Sequence, residues 1–151
     1  MTVMSKARAQ LSDSDIAIVG IGCRFPGIAD PFEYWRHLRD GVESVVELSD
    51  DELRENGVPE HLIADPAYVK KARPIDGIEN FDARFFGLSP REAAVMDPQH
   101  RHFLECTADA LEDSGHDPQS FDGAIGVFAG SGMNAYFPYN VLTNPDIVES
   151  M

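Results

Sequence analysis

Cys106, His102 and Asp109 are the side chains with the most evident capacity for chemistry, since His102 stands four residues before Cys106 and Asp109 three after it. On a helix such positions share a face. An imidazole beside a thiol can raise a nucleophilic thiolate, and the same three residue types can ligate zinc. Against both uses, a thiol in mid-helix beside an apolar stripe is ordinarily a small core or boundary residue. His100 and His102 would point about 200° apart on a helix and so cannot share an ion. The structural role is therefore favoured for all three.

Cys23 raises a different possibility, because Gly20-Ile-Gly22-Cys-Arg-Phe25 follows an apolar run as the dinucleotide-binding turn does. That turn needs a third glycine where Phe25 stands, and Pro26 and Gly27 prevent a helix from starting there. A glycine turn after a buried strand is the remaining reading. The sequence has no phosphate loop ending in Lys-Ser, no Gly-x-Ser-x-Gly elbow, no His-Glu-x-x-His and no Cys-x-x-Cys. It thus assigns no catalytic residue, no metal ligand and no bound cofactor to this segment.

The elements that would position these residues follow from patterning. Ile16–Ile21 is almost continuously apolar, as in a strand buried on both faces of a helix-covered sheet. Asp30, Pro31 and Glu33 form a helix start, Phe32, Trp35 and Leu38 recur at helical spacing, and Gly41 stops the helix. Ser49 and Glu52 open a short helix ending near Gly57, and Pro59 to Ala64 suggests a further turn. From Pro66 to Gly77 the chain reads as a surface excursion whose Lys70, Lys71 and Arg73 are solvated. Phe81, Phe85 and Phe86 fall within one helical turn ended by Gly87 and are expected in the core.

Ser89, Pro90 and Glu92 start another helix, and Asp97-Pro98 starts the longest one, which runs to Gly115. Its buried stripe is expected to be Phe103, Leu104, Thr107, Ala108 and Leu111. Ile125–Gly130 is a second strand rich in small residues. Beyond Ser131 the pattern weakens, with Tyr136, Phe137 and Tyr139 exposed and no cap before Met151. Strand, helices and strand give an α/β class, with residues 1–14 a leader and residues 15–151 one domain.

The chain has 26 acidic and 12 basic residues, so its net charge of −14 repels a phosphate backbone and argues against nucleic-acid binding. Two widely separated cysteines and the lack of an apolar leader fit reduced thiols in the cytoplasm. No apolar run approaches the roughly 20 residues that a membrane span needs.

Three blocks, in order, resemble the start of a modular type I polyketide synthase ketosynthase, or β-ketoacyl synthase, domain. They are Asp15 to Gly27, then Phe81 to Ala93 continued by Met96-Asp-Pro-Gln99, Arg101 and Leu104-Glu105, and finally Ile125 to Gly132 followed by Tyr136. One departure is Val46 to Leu53, where such domains often carry an Arg-Trp pair. Another is His100, His102 and Cys106, at positions that are commonly Gln or apolar.

The resemblance implies the N-terminal portion of a thiolase-like, layered α-β-α-β-α fold working as a homodimer. It implies decarboxylative Claisen condensation of acyl and malonyl-type thioesters delivered on the phosphopantetheine of an acyl carrier protein. The nucleophilic cysteine, two histidines and a lysine of that family are expected beyond Met151, leaving this segment inactive alone. A non-catalytic ketosynthase-like partner is the alternative. Met133 is the residue carried over as a substrate contact, lining the acyl pocket near the dimer interface, with interface packing as its other reading.

Overall fold

The computed structural model describes Ser12, residues 14–28 and residues 30–150. The proposed leader, apart from Ser12 and Ser14, lies outside the described residues. Helix α1, Pro31–Asp40, begins as the sequence indicates. Asp30 accepts a hydrogen bond from the Glu33 amide at 2.8 Å, and Gly41 closes the helix in the left-handed region at φ 67°.

Helix α2, Asp50–Glu55, and α4, Pro90–Val95, carry complete capping boxes. Ser49 and Ser89 accept from the amides of Glu52 and Glu92, whose carboxylates accept from the serine amides in return. These bonds hold both carboxyl groups below the usual glutamate range, chiefly through the Ser49 hydroxyl at Glu52 and the Ser89 amide at Glu92. Their stabilisation is therefore complete above the ordinary glutamate pKa and lost as pH falls through the depressed values. Ser89→Ala is expected to cost about 1 kcal/mol, read as a lowered urea midpoint at pH 7. The difference between variant and parent should narrow on acidification.

Between α1 and α4 lies a small lobe with its own core. Helix α3, Glu60–Ile63, packs on α2, burying Ile63 and Leu53 to 3% and 4% exposure. Strand β1, Val46–Glu47, pairs antiparallel with β2, Lys71–Ala72. Lys70 reaches Asp50 at 2.6 Å. The segment expected to be a solvated excursion thus contributes the two residues of β2, and while Lys71 and Arg73 are exposed as expected, Lys70 is half-buried against α2. Pairing between two-residue strands leaves no alternation in the sequence to detect.

The phenylalanine cluster also departs from expectation. Phe81 and Phe86 stack at 5.1 Å and are half-buried, but Phe85 packs edge-on against Phe86 and is 71% exposed. The three lie in consecutive turns, not a helix, with Gly87 at φ 71° and the Leu88 amide bonded to the Ala83 carbonyl. Turn geometry spreads the rings over two directions where a helix would have gathered them.

Helix α5, Pro98–Ser114, is the longest, as expected, and ends at Gly115 with φ 68°. Its expected stripe is only half-buried, and Phe103 is 41% exposed. The residue of α5 that is buried is Arg101. Residues 16–21 and 125–130, expected as strands, pair with no strand among the described residues and form no regular element there, and they leave Ile18 and Phe128 82% and 98% exposed rather than buried. An extended apolar segment becomes a strand only where a neighbour receives its backbone groups.

Beyond Ser131 the chain is more ordered than its patterning indicates. A single-turn π-helix spans Phe137–Val141, Val141 is fully buried, and α6 follows at Pro145–Ser150. Tyr136 is half-buried, while Phe137 and Tyr139 are exposed as expected.

Candidate functional site

The first apolar segment lies directly on α5, and its glycines make that possible. A β-carbon at Gly20 would collide with the Ala110 carbonyl oxygen, and one at Gly22 with that of Cys106. The Ile21 amide donates to the Asp113 carboxylate at 3.0 Å, fixing the register. These are the close backbone approaches that only glycine permits.

Past Gly22 the chain turns through Cys23 and Arg24. Arg24 forms ion pairs with Asp109 at 3.5 Å and Glu105 at 4.0 Å, tying the turn to the polar side of α5. His102 is engaged at both ring nitrogens, Nδ1 with Glu105 at 2.8 Å and Nε2 with the Ile78 carbonyl at 3.1 Å. Neither nitrogen is free to take a thiol proton or hold a metal. Burial pushes the thiols of Cys23 and Cys106 upward, opposite to what an activated nucleophile requires. Asp109 is occupied by Arg24, and no group of three potential ligands gathers among the described residues.

The second apolar segment leads into the loop that carries Met133. The Gly132 amide donates to Gln99 Oε1 at 2.9 Å, and the Tyr136 hydroxyl donates to the Ala94 carbonyl at 2.8 Å. The loop is thereby pinned on both sides of Met133, which is 89% exposed. A cleft of about 420 Å³ lies between the loop and the start of α5, lined by Gln99, His100, Phe103 and residues 129–132. Met133 stands beside that cleft without lining it. Gln99 and Tyr136, both in the quoted blocks, thus act as positioning residues for this loop.

Together these features define an α/β domain in which two apolar extended segments border one groove along a long central helix. The chain belongs to the family described as beta-ketoacyl synthase, N-terminal domain, which matches residues 13–150. It is 50% identical over 136 residues to a phenolphthiocerol/phthiocerol polyketide synthase polypeptide of Mycobacterium tuberculosis, covering 90% of this chain and 9% of that protein. It is 39% identical to the mycoketide-CoA synthase of the same organism over 137 residues, covering 87% of this chain and 3% of that protein.

Among solved structures, ketosynthase twelve of the bacillaene polyketide synthase from Bacillus amyloliquefaciens matches at 50% identity and a TM-score of 0.57, over 64% of this chain and 17% of that one. The ketosynthase of module 6 of the Bacillus subtilis bacillaene synthase matches at 35% identity and a TM-score of 0.55, over 69% and 17%. The fold is the layered, thiolase-like α/β fold of these ketosynthases, represented here by its N-terminal part. The chain spans less than a tenth of the curated relatives and about a sixth of the solved ketosynthases. No helix among the described residues is long and apolar enough to cross a membrane.

Proposed function

We propose that this chain is the N-terminal part of a polyketide-type ketosynthase that catalyses decarboxylative Claisen condensation in the cytoplasm as a homodimer. What supports the reading is the 50% identity to a solved ketosynthase, at a TM-score of 0.57. In the reaction a cysteine thiolate attacks the carrier-bound acyl thioester, forming an enzyme thioester and releasing the carrier's phosphopantetheine thiol. A malonyl-type thioester on a carrier protein then loses carbon dioxide. The resulting carbanion attacks the enzyme thioester, forming the new carbon–carbon bond and expelling the cysteine thiolate.

The nucleophile belongs to polypeptide outside these 151 residues, because Cys23 and Cys106 are raised by burial and have no free base beside them. Met133 is the residue offered to the acyl chain, on a loop whose backbone is fixed independently of the side chain it presents.

Acyl loading from an acyl carrier protein tests this. A ketosynthase polypeptide containing these residues is expected to gain one acyl thioester, mapped by mass spectrometry to a cysteine other than Cys23 or Cys106. The 151-residue polypeptide should gain none. Absence of loading on the longer polypeptide would favour a non-catalytic partner, and loading at Cys106 would overturn the assignment of the nucleophile.

A further inference from the structure

Arg101 is the arginine that the described residues bury, at 8% exposure; its buried Nε has no hydrogen-bond partner, and no carboxylate among the described residues lies within ion-pair distance of the guanidinium. Arg24, Arg36, Arg39 and Arg54 are exposed, yet each pairs with a carboxylate. Asp97, one turn before Arg101 and itself buried, has its Oδ1 turned to the Gln99 amide and makes no ion pair with Arg101. The polar-edge contact that remains is the Tyr136 ring, 5.9 Å from the guanidinium carbon to the centroid. That is at the outer limit of about 6 Å for a cation–π attraction. A buried guanidinium nitrogen without an acceptor, on a cation without a counter-charge, is unfavourable, and the planar fork is the donor set that best fits a carboxylate.

Resting on the ketosynthase reading, we propose that Arg101 is the docking point for a carboxylate side chain carried by the part of the same ketosynthase polypeptide that lies outside these residues. The chain has 26 acidic residues of its own, and none of those described is brought to Arg101. Matching only 17% of the solved ketosynthases' length, it leaves most of such a domain available to supply the acid. Arg101 lies under the Met133 loop through Tyr136, so the ion pair would also brace that loop against the rest of the domain.

The test uses the whole ketosynthase polypeptide. Arg101→Met keeps the packing of the stem and removes the charge. It is expected to lower Tm by about 5 °C or more, with Arg101→Lys in between. An unchanged or higher Tm for Arg101→Met would overturn the proposal. A charge swap identifies the partner: in an Arg101→Glu background, changing one acid of the remaining polypeptide to Lys should restore most of the lost Tm. No restoring swap would equally overturn it. Recovery when two singly substituted proteins are mixed would place the acid on a second copy and overturn the same-chain assignment. Acyl loading of the unsubstituted enzyme is scored in parallel, so failure of the ketosynthase reading registers separately.

Discussion

Gly22→Ala in a ketosynthase polypeptide containing this chain is expected to abolish or severely reduce soluble protein, although it adds only one methyl group. The new β-carbon would clash with the Cys106 carbonyl oxygen and stand 3.0 Å from the Ala110 amide nitrogen. Both are backbone atoms of α5, held by the helix's own hydrogen bonds, so neither can yield as a flexible side chain would. The cost should exceed the roughly 1–3 kcal/mol of ordinary overpacking. Gly20→Ala, facing the Ala110 carbonyl and the Ser114 amide, should behave alike.

Gly57→Ala is the control, since its β-carbon meets nothing within 4 Å and the penalty comes only from φ 76°. That penalty is about 1–2 kcal/mol. Urea denaturation of the three variants checks the ordering. Gly22→Ala matching Gly57→Ala in midpoint would show that the segment does not lie on α5.

The second large effect concerns exposed apolar surface. Ile18, Val127 and Phe128 are 82%, 71% and 98% exposed, and they border the open groove along α5. Helix α1 adds Phe32 and Trp35 at 82% and 64%. Expressed as 151 residues alone, the polypeptide is expected to bind anilinonaphthalene sulfonate strongly, self-associate and melt without a cooperative transition. Replacing Ile18 and Phe128 together by serine should reduce dye fluorescence several-fold. A monomer with a sharp thermal transition and no dye binding would contradict this expectation.

How much was legible in the sequence depended on how local each cause is. Asp30, Ser49 and Ser89 act on amides three residues away, so their helices could be read directly, as could the stop glycines 41 and 115. The pairing of Val46 with Ala72 was not legible, because each strand is too short to show a period. Arg101 was hidden for a different reason. An arginine on a helix reads as solvated, and only the tertiary structure, with the Tyr136 ring beside the guanidinium, reveals burial.

The apolar character of residues 16–21 and 125–130 was plain, while their partners lie outside any pattern within them. Of the candidate site, the spacing of His102, Cys106 and Asp109 could show only that they share a face of a helix; the partners that occupy His102 and Asp109, namely Glu105, Ile78 and Arg24, are fixed by tertiary contacts and local rotamers. The anchoring roles of Gln99 and Tyr136 were not legible because a single glutamine or tyrosine carries no periodic signal for the partner it will reach.

The lobe between α1 and the phenylalanine turns closes on itself through Leu53, Ile63, the β1–β2 pair and the Lys70–Asp50 bridge. It also contains Val46 to Leu53, the stretch where this chain departs from the Arg-Trp pattern common in ketosynthases. A unit that satisfies its own small core can be rewritten without disturbing the glycine-locked helix beside it. A graft of residues 44–73 from another ketosynthase is therefore expected to be tolerated where a single methyl at Gly22 is not.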